Sequence, residues 1–433
     1  MIIYIHPEKL RTLLTRVYKS DCSKFYSDLY QQHTKQDNPK NLEESFLDFE
    51  TEHQWDNSYA ESVLKKIPLL TRKDITSVHP NERTYVDSSD IEFVSYTSGT
   101  SNGTPLVIHW SHVDNYYYDP SLGLDIKKPL ILHPALNKNF GHTFIQQCRQ
   151  ATRPLSPVFA DYQQLPQSAV LAAQTGVDSI YTTPTLAEHL HTYLEKEYDA
   201  KKIKLLVLFS ETMTPTKKEV LSKLYPSAHI ANVYASSEIG QILLFPTSKE
   251  IQSGIDKMHI LKEAVVAVEL INDELVITMD QNKAFPLIRY STGDHFYYDA
   301  SDDSLTWKGR YSIDSVKVNG MEVKIEDIEK ALSYCTSDIG NIYQFHLYSH
   351  KNDTDNREQI KIVVETTIKH PTRFAQEEAR DNIIKSLLQR WKLTSSATVQ
   401  DAIHKGLVSS VEVSFVDTLS FQSTKTRRLV THF

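Results

Sequence analysis

Apolar side chains in the first 75 or so residues recur at helical spacing. Leu10-Leu13-Leu14-Val17-Tyr18 and Phe25-Leu29-Tyr30 each line one helix face, so this stretch predicts a polar, mainly helical apron. From about residue 129 the pattern changes to short apolar runs alternating with helical periodicity. Pro129 to His133, Ser179 to Thr182 and His229 to Tyr234 read as strands, and Ile203 to Phe209 is a further apolar run. Between them Gln167 to Thr175, Leu186 to Lys196 and Pro215 to Leu224 read as helices, the last opening with proline in its first turn. This alternation predicts an α/β layered sheet whose strands end at loops on one side, where ligands bind.

The pattern changes twice more. Val265 to Leu270 and Glu274 to Ile277, joined by Ile271-Asn272-Asp273, carry a hairpin signal. After about Asp314 the order becomes strand, helix (Ile325 to Tyr334), strand (Ile342 to Leu347), strand (Ile360 to Thr367), long amphipathic helix (about Phe374 to Trp391) and strand (Val411 to Phe415). The expected organisation is therefore a large N-terminal layered α/β domain over residues 1–312 and a small α+β domain over 313–433. Lys351 to Asn356 reads as a polar hairpin tip, and no internal repeat is visible.

Composition narrows the class without naming a chemistry. The 433 residues are 40% hydrophobic and 24% charged, the balance of an ordinary globular protein with room for two or more domains. A formal net charge of −8 argues against general nucleic-acid binding. The apolar start Met1 to Ile5 is too short for a signal peptide, and no later run is long enough to span a bilayer, so a cytoplasmic location is expected. Cys22, Cys148 and Cys335 lie far apart without metal or redox spacing and read as buried, inert thiols.

Glycine is the informative residue. There are only 12, well under the usual share of about 7%. Half of them fall in five short segments: Gly99 and Gly103 in Tyr96 to Pro105, Gly240 in Tyr234 to Gly240, Gly293 in Tyr290 to Asp294, Gly309 in Trp307 to Arg310, and Gly320 in Lys317 to Gly320. A chain this sparing of glycine uses it where the backbone bends sharply or approaches a ligand closely. Tyr-Thr-Ser-Gly-Thr-Ser-Asn-Gly-Thr-Pro at 96–105 can point successive N–H groups and hydroxyls into one concavity, as a phosphate cradle does. A Ser/Thr/Gly cluster is also an ordinary turn, and the Walker pattern with its lysine is absent from the chain, which excludes a P-loop NTPase.

Taken in order, the hydroxyl-rich loop, Ser236-Ser237-Glu238, Tyr290 to Asp294, Gly309-Arg310, Lys317 to Gly320 and Lys425 near the end resemble the motifs of the adenylate-forming (ANL) superfamily. Its members are acyl-CoA synthetases, adenylation domains and luciferases. The motifs extend from about residue 68 to 428. Length, the early loop and Pro68-Leu69-Leu70-Thr71-Arg72-Lys73-Asp74-Ile75 are similar to the short phenylacetate–CoA ligase-like branch.

The resemblance implies that ATP, with Mg²⁺, activates a carboxylic acid to an acyl adenylate with release of pyrophosphate, after which a thiol takes the acyl group. Thr97, Ser98, Gly99, Thr100 and Ser101 would hold the β- and γ-phosphates, and Glu238 would take the metal, a hard cation suited to carboxylate and phosphate oxygen. Ser237 stands where threonine is usual and keeps the hydroxyl. Ser210-Glu211-Thr212 matches a segment beside adenine, and Tyr234 would stack on the base or pack in the core. Asp294, in a Thr-Gly-Asp turn, would accept from the ribose hydroxyls, and Arg310 would bind ribose or phosphate as a forked donor. Lys425, in Thr424 to Arg428, would bridge the acid carboxylate and the α-phosphate, stabilising charge that develops in the transition state. Asp314, or Ile313 beside it since Gly309 to Gly320 is one residue longer than usual, would be the hinge of a mobile C-terminal lid, and Gly320 would let pantetheine pass close to backbone.

The acid is expected between Asn139-Phe140-Gly141-His142 and Tyr234-Ala235-Ser236. Small Ala235 and Ser236 leave room for a flat ring, and His142 or Asn139 could bond a ring hydroxyl. An aryl acid is the expectation, chiefly by branch resemblance. The acceptor stays open between coenzyme A and the phosphopantetheine arm of a carrier protein. Asn102 is an extra loop residue, Leu106 stands where a lysine often follows the proline, and Thr424 stands where glycine precedes the terminal lysine. These departures keep a second reading alive, a non-catalytic nucleotide- or acyl-binding protein on the same fold.

Overall fold

The computed structural model describes residues 1–34, 55–96, 106–111, 119–133, 139–211, 213, 215–240 and 242–309. Beyond these it describes 315–318, 321–324, 342–351, 358–366, 399–404, 408–416 and a few single helical positions between.

Apolar runs buried on both faces build the central sheet. Five parallel strands lie in the order Val158–Phe159, Pro129–Ile131, Ser179–Thr182, Leu205–Leu208, His229–Asn232. Alternation along each strand sends side chains to two cores. Leu130, Ile180, Leu206 and Leu208 pack on one face, and Ile131, Tyr181, Leu205 and Val207 on the other. The connecting helices Leu165–Thr175, Pro184–Glu197 and Pro215–Leu224 fall where the periodicity predicts them. Gly176 ends the first in a left-handed turn (φ 67°), and Thr183 caps the second by accepting from Leu186 N at 3.2 Å. The chain runs outward from Pro129–Ile131 to one edge, then returns across it to build the other side. That reversal sets a crevice at the carboxyl ends of the strands.

A second sheet is antiparallel: Ile2–Ile5, Ala267–Ile271, Glu274–Met279, Leu287–Asp299 and Ser304–Gly309, in that order. Asn272 and Asp273 both take positive φ (52° and 66°) and form the two-residue turn of the expected hairpin. The apron helices Pro7–Tyr18, Phe25–Thr34 and Asn57–Lys66 pack their apolar faces on this sheet, with Leu10, Leu13, Leu14 and Leu64 buried in the shared core. The apron is not all helix, since Ile2–Ile5 pairs with Ala267–Ile271. A small antiparallel sheet of Tyr234–Ala235, Ile242–Phe245 and His259–Ile260 lies between the two large ones in sequence.

Phe93–Tyr96 and Val107–Trp110 form a hairpin flanking the 97–105 loop, which lies outside the described residues. Toward the C-terminus, Ser315–Val318 pairs with Met321–Lys324, and Ile342–Lys351, Glu358–Thr366 and Val408–Val416 form a three-stranded mixed sheet. The expected boundary at 312/313 falls within 310–314, outside the described residues, as does most of 374–391. Among the described residues no helix is long and apolar enough to cross a membrane.

Candidate functional site

The carboxyl ends of the parallel strands carry a run of polar residues. After Pro129–Ile131 comes His133, whose ring stacks on Phe209 with centroids 4.5 Å apart. Its Nε2 lies 3.1 Å from Ser210 Oγ, so the ends of two strands are bridged. Ser210 follows Leu205–Leu208 with φ 70°, a left-handed conformation that favours glycine. The next side chain, Glu211, accepts from Thr185 N at 3.1 Å through Oε2, satisfying an amide in the first turn of the Pro184–Glu197 helix. Thr212 lies outside the described residues.

The last parallel strand leads into Tyr234, which is buried. Its ring meets Phe296 edge-on at 5.3 Å and tilts against Trp307 at 5.8 Å, so the aromatic body packs in the core. Its hydroxyl donates to Asp294 Oδ2 at 2.6 Å. Ala235, Ser236 and Ser237 are half-buried, and a turn follows in which Ser236 Oγ accepts from Ile239 N and Ser236 O accepts from Gly240 N. Gly240 closes it with φ 79°. This turn projects Glu238, whose side chain is 9% exposed and whose Oε1 accepts from Arg72 Nη1 at 2.5 Å. Glu238 is therefore not a solvated loop charge.

Asp294 does not sit in a hairpin turn. It belongs to the long strand Leu287–Asp299, at a bulge where the register to Glu274–Met279 slips. Gly293 makes the bulge with φ 75°, and its amide donates to Glu274 Oε1 at 2.9 Å. Thr292 Oγ1 takes the Asp294 amide at 3.1 Å. These bonds aim Asp294, which is 2% exposed, at Tyr234. The sequence reading of Thr-Gly-Asp as a turn thus gives way to a bulge, because one glycine with positive φ serves both.

The acid side is defined only in part. Asn139 and His142 lie in the helix Asn139–Gln150 rather than in a loop, and the placement of their side chains is outside the described residues. The phosphate-loop residues Thr97, Ser98, Gly99, Thr100 and Ser101, and with them Arg310, Asp314, Gly320 and Lys425, also lie outside. Cys148 is buried as expected, and burial pushes its thiol up to about 12, whereas Cys22 is exposed, against expectation.

Two participants went unassigned in the sequence. Arg72 stood inside the lead-in motif, and only that motif hinted at it. His133 carried no signal beyond its place at a strand end. Among the described residues no group of three or more His, Cys, Asp or Glu could hold a metal ion. A metal at Glu238 would take that carboxylate with substrate phosphate and water, a donor set magnesium accepts.

No protein-family model matches the chain. A D-alanine–D-alanyl carrier protein ligase of Lactococcus lactis subsp. lactis (strain IL1403) is 24% identical over 279 residues, 56% of this chain and 53% of that protein. The chain thus matches about half the length of this curated relative. Among solved structures, a 2-hydroxyisobutyryl-CoA ligase in the postadenylation state, in complex with R3-HIB-AMP, superposes with a TM-score of 0.70 at 14% identity. That match covers 98% of this chain and 88% of the ligase. An anthranilate CoA ligase in complex with anthranoyl-AMP gives 0.53 at 15% identity, over 89% and 74% of the two chains. O-succinylbenzoate coenzyme A synthetase from Bacillus subtilis, in complex with ATP and magnesium ion, gives 0.50 at 14%, over 77% and 68%. Over nearly its whole length, the chain shares the fold of the 2-hydroxyisobutyryl-CoA ligase.

Proposed function

We propose that this protein is an acid–thiol ligase that activates a carboxylic acid with ATP as an acyl adenylate and passes the acyl group to a thiol. The observation that carries the reading is the joining of two separate motifs at one place. Tyr234, from the end of the parallel sheet, donates to Asp294, from the bulge of the antiparallel sheet. Glu238 lies four residues beyond Tyr234 on the turn that follows. Two motifs far apart in the sequence are thus joined by one hydrogen bond, with Glu238 on the turn that follows the first of them.

The roles follow from the charge that moves. Attack of a carboxylate on the α-phosphate expels pyrophosphate, so positive charge is needed on both sides of phosphorus. Thr97 to Ser101 would receive the β- and γ-phosphates, and Arg310 the ribose or a phosphate. Lys425 would sit between the acid and the α-phosphate. Asp294 would accept from the ribose hydroxyls, with Tyr234 holding its carboxylate in place. Ser210, Glu211 and Thr212 would border the adenine, and Ser237 would place a hydroxyl beside the phosphates. Glu238 would hold Mg²⁺, which when bound neutralises phosphate charge. The 313–433 region would act as a lid turning about Asp314, with Gly320 lining the pantetheine path.

For the acid we favour an aryl carboxylate of the benzoate, phenylacetate or hydroxybenzoate type, as in the phenylacetate–CoA ligase-like branch. The small side chains of Ala235 and Ser236 support it, since they would leave room for a flat ring, and Asn139 and His142 would bond a ring hydroxyl. The aryl acid named for the anthranilate ligase agrees with this choice. The Lactococcus relative's carrier-protein substrate makes a carrier phosphopantetheine as good an acceptor as coenzyme A.

ATP–pyrophosphate exchange across aryl, aliphatic and amino acids tests the reading. Acid-dependent exchange that disappears in Lys425→Ala is the expected result. No exchange with any acid overturns it in favour of a nucleotide- or acyl-binding protein on the same fold.

A further inference from the structure

The Glu238 carboxylate is already engaged. Among the described residues its cationic partner is Arg72, 2.5 Å away through Nη1. Arg72 opens the short helix Arg72–Thr76, and a capping box fixes that helix. Asp74 N donates to Thr71 Oγ1 at 3.3 Å, and Thr71 N donates to Asp74 Oδ2 at 2.8 Å. Just upstream, Leu70 N donates to Arg289 O and Leu70 O accepts from Ser291 N, both at 2.9 Å, which ties the segment to the strand bearing Asp294. The backbone beneath Arg72 is thereby anchored from both sides. Its side chain is different: it is 26% exposed and spans to the carboxylate on a flexible stem.

We propose, on the reading of Glu238 as the metal carboxylate, that Arg72 is the displaceable counter-cation of that carboxylate. It holds one oxygen of the carboxylate that a divalent metal would use, and its guanidinium would give way when such a metal bound. Two arguments lead there. A carboxylate this far removed from water is costly without an opposite charge beside it, and Arg72 supplies that charge. A guanidinium and a divalent ion compete for the same carboxylate, and their charges repel. Arg72 therefore orients the Glu238 carboxylate while lowering its affinity for a metal. The anchored helix confines the displaced side chain to the neighbourhood of the site.

The test is Mn²⁺ titration of the protein saturated with a non-hydrolysable ATP analogue, read as water-proton relaxation enhancement over the same titration of the analogue alone. A hydrogen bond to a charged group is worth roughly ten- to a hundred-fold in an equilibrium, so Arg72→Gln is expected to bind Mn²⁺ tighter by about that factor. The gain is expected to vanish in Arg72→Gln/Glu238→Gln. Arg72→Lys keeps a charge on the same anchored backbone but loses the fork, and is expected to fall between wild type and Arg72→Gln, which guards against a misfolded glutamine variant. If Glu238→Gln weakens Mn²⁺ binding but neither Arg72 variant strengthens it, the counter-cation role is wrong and the metal reading of Glu238 survives. If Glu238→Gln changes nothing in either background, the metal reading fails and takes the inference with it.

Discussion

Tyr234 and Asp294, 60 residues apart in sequence, meet through a 2.6 Å hydrogen bond from phenol to carboxylate, with both residues buried. The bond links the end of the parallel sheet to the bulge of the antiparallel one. Tyr234→Phe keeps the ring against Phe296 and Trp307 and removes only the donor. A hydrogen bond to a charged group contributes about 1.5–3 kcal/mol, and the buried carboxylate would lose one of its donors. The expected outcome is a lower urea midpoint at unchanged slope, and weaker ATP binding by calorimetry because Asp294 is no longer held. An unchanged midpoint would mean that the bond contributes nothing net.

Glu211 faces the first turn of the Pro184–Glu197 helix, where its Oε2 takes the Thr185 amide. That is a tertiary cap, supplied by a loop rather than by the residue before the helix. Glu211→Ala is expected to destabilise by about 1 kcal/mol, the usual worth of a cap, while Glu211→Gln retains an acceptor and most of the stability. Comparing the two by chemical denaturation separates capping from charge.

Much of this architecture was legible from local pattern, and the failures have a common physical cause. The parallel strands declare themselves as short apolar runs because both faces are buried, and the Pro215–Leu224 helix opens at its proline. The strand Ile2–Ile5 was hidden in the apron because its partner, Ala267–Ile271, lies more than 260 residues away. The helix Asn139–Gln150 drew no element from the sequence pattern, since Gly141 in its first turn weakens the helical signal. Asp294 was singled out by its neighbours but given the wrong backbone, because positive φ at Gly293 suits a turn and a bulge alike. Arg72 on Glu238 and His133 on Ser210 are contacts between distant segments, which no local spacing encodes.

Arg289 and Glu269 form a buried two-pronged pair, Nε to Oε2 and Nη2 to Oε1, both at 2.9 Å. Arg289 also donates to the carbonyl of Ile67, just ahead of the lead-in segment that carries Arg72. Glu269→Ala leaves a buried guanidinium without its carboxylate and is expected to cost about 3–5 kcal/mol. Replacing both, as Glu269→Leu with Arg289→Met, removes the charge problem but leaves the Ile67 carbonyl without this donor, so about 1–3 kcal/mol of loss should persist. Hydrogen exchange at the Leu70 amide should quicken in both variants, because that amide bonds to the Arg289 carbonyl.

His189 supplies a pH dependence whose sign can be worked out. Burial in the Pro184–Glu197 helix lowers its imidazole to about 4, and the Lys217 ammonium nearby pushes the same way. Lys217 is itself buried against Glu188, which fixes the charge beside the ring. Unfolded, a histidine titrates near 6.5. Between about 6.5 and 4 the unfolded chain therefore binds a proton that the folded one refuses, so stability falls as the solution is acidified. The contribution is fully present above about pH 6.5 and is lost as pH drops through the folded value, a span worth about 3 kcal/mol. His191 and His109 are also lowered by burial, so the wild-type slope contains their share as well. His189→Gln isolates the one residue: its unfolding free energy, followed by urea titration from pH 7.5 to 4.5, should fall less steeply than that of wild type. Parallel curves for the two proteins would show that His189 is protonated in the folded state as readily as in the unfolded one.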